Sequence, residues 1–140
     1  MVRYILNWLV IFILAYGFGF LIHGMLLQPD SLAMPPDMWR PDAVVMHKMP
    51  FMLLGYAFFA AALVWIYHQG LKPGAWLPQG VRFGIAVWAL TSVPFALIIY
   101  TVETYHWYTT AKIMGLELVS TLVLGIVTAA FNKGDAAARA

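Results

Sequence analysis

Residues 4–27 read YILNWLVIFILAYGFGFLIHGMLL, a run in which His23 is the only side chain that titrates near neutral pH. A hydrocarbon core of about 30 Å is crossed by roughly 20 helical residues, so this run is long enough to span a bilayer. The apolar character is continuous rather than alternating, which favours a helix over a barrel strand. Arg3 precedes the run and Ser31-Leu32-Ala33 follows it, as around a cleavable signal. The run exceeds the roughly 7–15 apolar residues of such signals, and it is read as a retained anchor.

Working outward, three further runs of the same kind cover about residues 49–68, 81–103 and 109–131. The expected fold class is an all-α integral membrane protein. Residues 1–140 would form one domain of four transmembrane helices in an antiparallel up-down bundle, and residues 132–140 a frayed tail. Composition agrees: 63% of the 140 residues are apolar and 10% charged, against about half and about a quarter in soluble domains. The mean hydropathy is +0.81. Such a chain is neither an ordinary soluble domain nor a disordered one. The net charge of +2 is scattered, which gives no basic patch for nucleic acid. With no cysteine, disulfides, thiolate ligands and thiol redox chemistry are excluded.

The connections are rich in breakers. Pro29, Pro35, Pro36 and Pro41 exclude regular helix until Asp42, and Pro41 suits a first helical position, with Pro50 a kink or false start. This first loop, carrying Met34, Met38 and Trp39, is expected to fold back over the helix ends. With the N-terminus inside, Arg3, Lys72, Arg82, Lys133 and Arg139 lie inside, and Arg40, Lys48 and Lys112 outside. That bias favours an N-in, C-in protein of a bacterial inner membrane.

Apolar side chains gain little by leaving lipid for one another, so small residues should mark helix contacts. Thr121, Gly125 and Ala129 form such a stripe, as do Ala57 and Ala61, and the first helix offers Ala15, Gly17, Gly19 and Gly24. Pro94 follows Thr91-Ser92-Val93 in mid-helix and is a candidate hinge whose freed carbonyls the hydroxyls would satisfy.

Ionisable groups inside lipid are costly and face the protein interior. His23 lies roughly 6 Å and Glu117 about 10 Å inside the outer ends of their helices, at about 1.5 Å per residue. Each sits beside small residues, and the two are expected to share a hydrogen bond. Such a pair either fixes helix register or carries a proton or cation. Met46, His47, Met49 and Met52 form a second candidate set, since thioether and imidazole suit Cu(I), although Arg40 and Lys48 add positive charge nearby. Copper is thus the one metal named for a ligand set, and no cofactor is predicted. Glu103 and His106, three apart at the outer boundary, form either a helix-end contact or half of a di-metal motif. No catalytic motif is present, and no catalysis is expected.

The stretch Phe20-Leu21-Ile22-His23-Gly24 resembles the first helix of small four-span DoxX-like proteins, without the basic residue expected soon after His-Gly there, and no family is assigned on it. Two functions remain expected. The first is a non-enzymatic accessory or structural subunit of a larger membrane assembly, or a homo-oligomer. The second is a small proton-coupled transporter or an ion- or Cu(I)-binding protein using His23, Glu117 and the Met/His set. The partners would be the lipid bilayer and other membrane subunits or further copies.

Overall fold

The computed structural model describes residues 2–35, 40–103 and 106–138, with side chains up to Asp135. Among these residues there is no strand. Helix α1 (Val2–Gly19) continues into a π-helical segment, π1 (Phe20–Leu26), followed by the short α2 (Gln28–Leu32). Then come α3 (Asp42–Gln69), α4 (Trp76–Val102), α5 (Trp107–Phe131) and the short α6 (Lys133–Ala138). Four stretches are long and apolar enough to cross a membrane: Val2–Leu26, Asp42–Gln69, Trp76–Val102 and Trp107–Phe131, with mean hydropathy of 2.0 or above.

The boundaries differ from the sequence reading in instructive ways. Helix α3 starts at Asp42 rather than near residue 49, because Pro41 stands at its N-cap with ψ of 143° and Pro50 lies inside the helix. A proline in the helix body removes one N–H bond, and a long helix tolerates that loss. Helix α4 starts at Trp76, five residues before the expected 81. The tail is not frayed throughout. Asn132 caps α5 by donating from Nδ2 to the Thr128 carbonyl at 2.8 Å, and Asp135 of α6 pairs with Arg3. Helix α4 runs unbroken through Pro94. The Thr91 hydroxyl donates to the Val87 carbonyl at 2.8 Å, one helical turn back, rather than to the Leu90 carbonyl that Pro94 leaves without its usual donor. Met38, Trp39 and Tyr105 lie outside the described residues.

The tightest packing joins α4 to α5. A Cβ placed on Gly84 would lie 2.6 Å from the Thr121 carbonyl oxygen, and one on Gly125 would lie 2.5 Å from the Gly80 oxygen. The two backbones touch directly, which only glycine permits. Trp88 secures the pair further along by donating from Nε1 to the Met114 carbonyl at 2.9 Å. Helix α1 lies against α3, where Trp8 donates to the Ala57 carbonyl at 3.0 Å, and also against α5. Ile11 and Ala15 of α1, Ala60, Leu63 and Val64 of α3 and Leu124 of α5 make the main core. A second cluster, Tyr67, Leu71 and Ala129, has Trp76 and Phe83 packed on it.

The backbones of α3 and α4 stay apart, and the two helices meet through side chains at one end, where the Tyr67 and Phe83 rings lie edge to face with centroids 5.1 Å apart. The molecule exposes 8985 Å², against about 7300 Å² for a soluble globule of its mass. Much of the excess is apolar, with Phe51, Phe58, Leu90 and Phe95 each more than 60% exposed.

Candidate functional site

The space left between α3 and α4 is a cavity of about 1360 Å³, walled also by α1, π1, α2 and α5. His23 and Glu117 both line it. Nε2 of His23 lies 3.2 Å from Oε1 of Glu117, at hydrogen-bond distance. The pair is not sealed: the His23 side chain is 54% and that of Glu117 23% exposed. Among the described residues the second carboxylate oxygen of Glu117 makes no hydrogen bond.

The local backbone explains how His23 reaches this position. In π1 the Leu27 N–H donates to the Ile22 carbonyl at 2.9 Å, a bond across five residues rather than four. Widening the turn displaces the helix end sideways, and it leaves carbonyls that need other donors. Lys112 of α5 supplies one: its Nζ donates to the Leu26 carbonyl at 2.9 Å and to Oδ2 of Asp30 at 2.7 Å. Thr109 donates to Oδ1 of the same carboxylate at 3.2 Å. The Lys112 hydrogen bond holds the Asp30 carboxyl below its ordinary value of 3.8, with smaller help from Thr109 and against the cost of burial. Asp30, Lys112 and Thr109 thus latch π1 and α2 onto α5, one turn above the His23–Glu117 pair.

On the facing wall, Tyr56 of α3 brings its hydroxyl against Gly19, where a Cβ would lie 1.8 Å from it. Tyr16 meets the Tyr56 ring edge-on, with centroids 5.7 Å apart. Phe59 and Phe95 add apolar wall, and Thr91, Ser92, Ser120 and Thr121 add hydroxyls. Thr121 already gives its proton to the Glu117 carbonyl at 2.9 Å.

The other candidates are not drawn into one centre. Met46 and His47 are exposed on α3, Met49 is half-buried there, and only Met52 of that set reaches the cavity. Among the described residues no three His, Cys, Asp or Glu side chains come together as a metal-ligand group. Glu103 ends α4 and lines the cavity mouth, whereas His106 caps α5 and accepts from the Thr110 N–H at 3.1 Å through its carbonyl. No hydrogen bond joins Glu103 to His106 among the described residues.

Compared with protein-family models, curated proteins and solved structures, the chain matches none of them.

Proposed function

We propose that this chain is a non-enzymatic integral membrane protein that takes a small amphipathic guest into the cavity between α3 and α4. The polar end of the guest would be held at His23–Glu117. The observation that carries the reading is the placement of this hydrogen-bonded pair on the wall of an open cavity of about 1360 Å³. A pair serving only to lock two helices together would be enclosed by them. Here both side chains keep exposed surface, and one carboxylate oxygen makes no hydrogen bond among the described residues. An imidazole 3.2 Å from the other oxygen can in principle exchange a proton with it. That is the chemistry a proton-coupled carrier needs.

The membrane arrangement follows from the same reading. Apolar faces this exposed are stable in lipid and costly in water. Close approaches pair residue 80 with 129, 84 with 121 and 88 with 114, falling on α5 as they rise on α4. An up-down antiparallel bundle accounts for that order, and the excess of Lys and Arg on the terminal side supports N-in, C-in insertion in an inner membrane. A C-terminal reporter active on the outer side would refute the orientation.

The absence of cysteine allows a direct test of the cavity. Ser92→Cys puts one thiol on its wall, and Gly55→Trp fills it from a position where an added Cβ meets nothing within 4 Å. N-ethylmaleimide should label Ser92→Cys readily, and at least tenfold more slowly once Gly55→Trp is added. Equal rates in the two proteins would remove the reading.

The exposed aromatic faces of α3 and α4 favour a second reading, an accessory subunit or homo-oligomer in which a neighbouring helix closes this side. Native mass spectrometry from mild detergent separates the two. A stable second chain supports the subunit, and a monomer supports the guest-binding protein.

A further inference from the structure

We infer that the guest is an organic cation with a bulky apolar body, an assignment that rests on the guest-binding reading above and specifies its chemistry. The first argument is the sign of the charge around the cavity. Asp30, Asp42, Glu103 and Glu117, four of the six Asp and Glu side chains, line it, and among the described residues Arg40 is the one lysine or arginine that does. Asp30 is already neutralised by Lys112 at 2.7 Å. Arg40 offsets one more, and the remainder is negative, with Glu117 the member set among helices rather than at the mouth. A concave, low-dielectric wall of one sign concentrates counter-ions of the other.

The second argument is what else lines the cavity that Glu117 faces. Tyr56, Phe59 and Phe95 supply aromatic rings on the same cavity. Rings attract a cation held over their faces and also pack its apolar substituents. A small inorganic cation gains little here. Its hydration shell would have to be replaced by several oxygens gathered at one point, and among the described residues no three His, Asp or Glu side chains of this wall come together. A weakly hydrated ammonium, phosphonium or guanidinium centre needs one counter-charge and an apolar enclosure, which this wall provides. The third argument is size. At about 1360 Å³ the cavity exceeds the roughly 300–1000 Å³ usual for drug-sized ligands, so a multi-ring or branched body fits without displacing a helix.

Tetraphenylphosphonium and tetraphenylborate have nearly the same shape and opposite charge, and they isolate the sign of the guest. Binding would be measured by equilibrium dialysis on the full chain in zwitterionic nanodiscs, for the wild type, Glu117→Gln and Gly55→Trp. Glutamine keeps a partner for His23 and removes the charge. Tetraphenylphosphonium should bind the wild type saturably, at least tenfold more weakly in Glu117→Gln, and not at all in Gly55→Trp, with no saturable binding of tetraphenylborate to any of them. Suppose instead that tetraphenylborate binds as tightly as the phosphonium, or that Glu117→Gln leaves the phosphonium affinity unchanged while Gly55→Trp abolishes it. Either result overturns the cation assignment and leaves the guest-binding cavity standing. Saturable binding of neither probe to the wild type overturns both.

Discussion

The two flanks of α4 obey opposite rules. On the side of α5, Gly80, Gly84 and Gly125 bring backbone against backbone, and any added carbon would strike main-chain atoms at under 3 Å. On the side of α3, large side chains such as Met52, Phe59 and Phe95 face a gap of about 1360 Å³. Apolar surface is therefore not what holds these helices together. The flank with the smallest side chains is joined backbone to backbone, whereas the flank with the largest meets through Tyr67 and Phe83 at one end and stands open beyond them. This is the pattern expected where the surroundings are as apolar as the side chains, so that association depends on close dispersion contact and polar ties.

Substitutions that exchange the two behaviours test that contrast. The largest effect is expected for Gly125→Leu. Its side chain meets Gly80 and Gly84 main-chain atoms that cannot rotate away, and the cost should reach or exceed the about 3 kcal/mol of severe overpacking, seen as loss of the folded monomer on heating. Gly55→Ala, at a glycine with nothing within 4 Å, should instead be neutral or stabilising by about 0.5–1 kcal/mol. Equal outcomes for the two would end the comparison.

Gly19→Ala should fall between them. Its clash is with the Tyr56 hydroxyl, the far end of a movable side chain. A cost of about 1–2 kcal/mol that drops sharply in a Tyr56→Leu background would identify that contact by double-mutant cycle.

A smaller change is expected at the latch. Lys112→Met removes the ammonium from both Asp30 and the Leu26 carbonyl. The expected cost is about 1 kcal/mol, with faster amide exchange confined to residues 22–31. The Asp30 carboxyl is held below its ordinary 3.8, so its contribution is present above that value and fades as pH falls through the lower folded one. Acid titration of wild type against Asp30→Asn should therefore converge at low pH and differ at neutral pH. The least effect belongs to the exposed Arg3–Asp135 pair, where Asp135→Asn should cost under about 0.5 kcal/mol and vanish in high salt.

Much of the architecture was legible in the sequence because apolar length is a one-dimensional property. Four runs long enough to cross a membrane announce themselves without knowledge of their neighbours. The adjacency of His23 and Glu117 was legible for a related reason, since two costly polar groups at similar distances from the same helix ends have few other partners. The seam was read on one side only. Thr121, Gly125 and Ala129 form a visible stripe, yet Gly80 and Gly84, spaced by four in Gly80-Val-Arg-Phe-Gly84, straddle the start of the apolar run at residue 81 and do not stand out as its partner. The start of α3 is marked by Pro41 and obscured by Pro50, a proline that the helix carries within its body. Asp30 follows the outer end of the first run and Lys112 lies on the same outer side with opposite charge, but their pairing requires α2, a helix too short to predict. The π-helical turn was not legible at all, because its irregular bonding depends on a donor from another helix. The cavity could not be foreseen either, since it exists where the backbones of two helices stay apart.

That dependence has a consequence for the order in which the molecule can be made. The ties that complete the end of the first long helix come from Thr109, Lys112 and Glu117, between 79 and 94 positions later in the chain. During synthesis the first span must therefore wait, its last carbonyls without their final donors, until α5 has emerged. Fragments that stop after α4 would retain a first helix whose final turns are free to relax to ordinary α-helical bonding. The bundle is thus closed by its last long helix, and the step that completes the fold is also the step that brings His23 to Glu117.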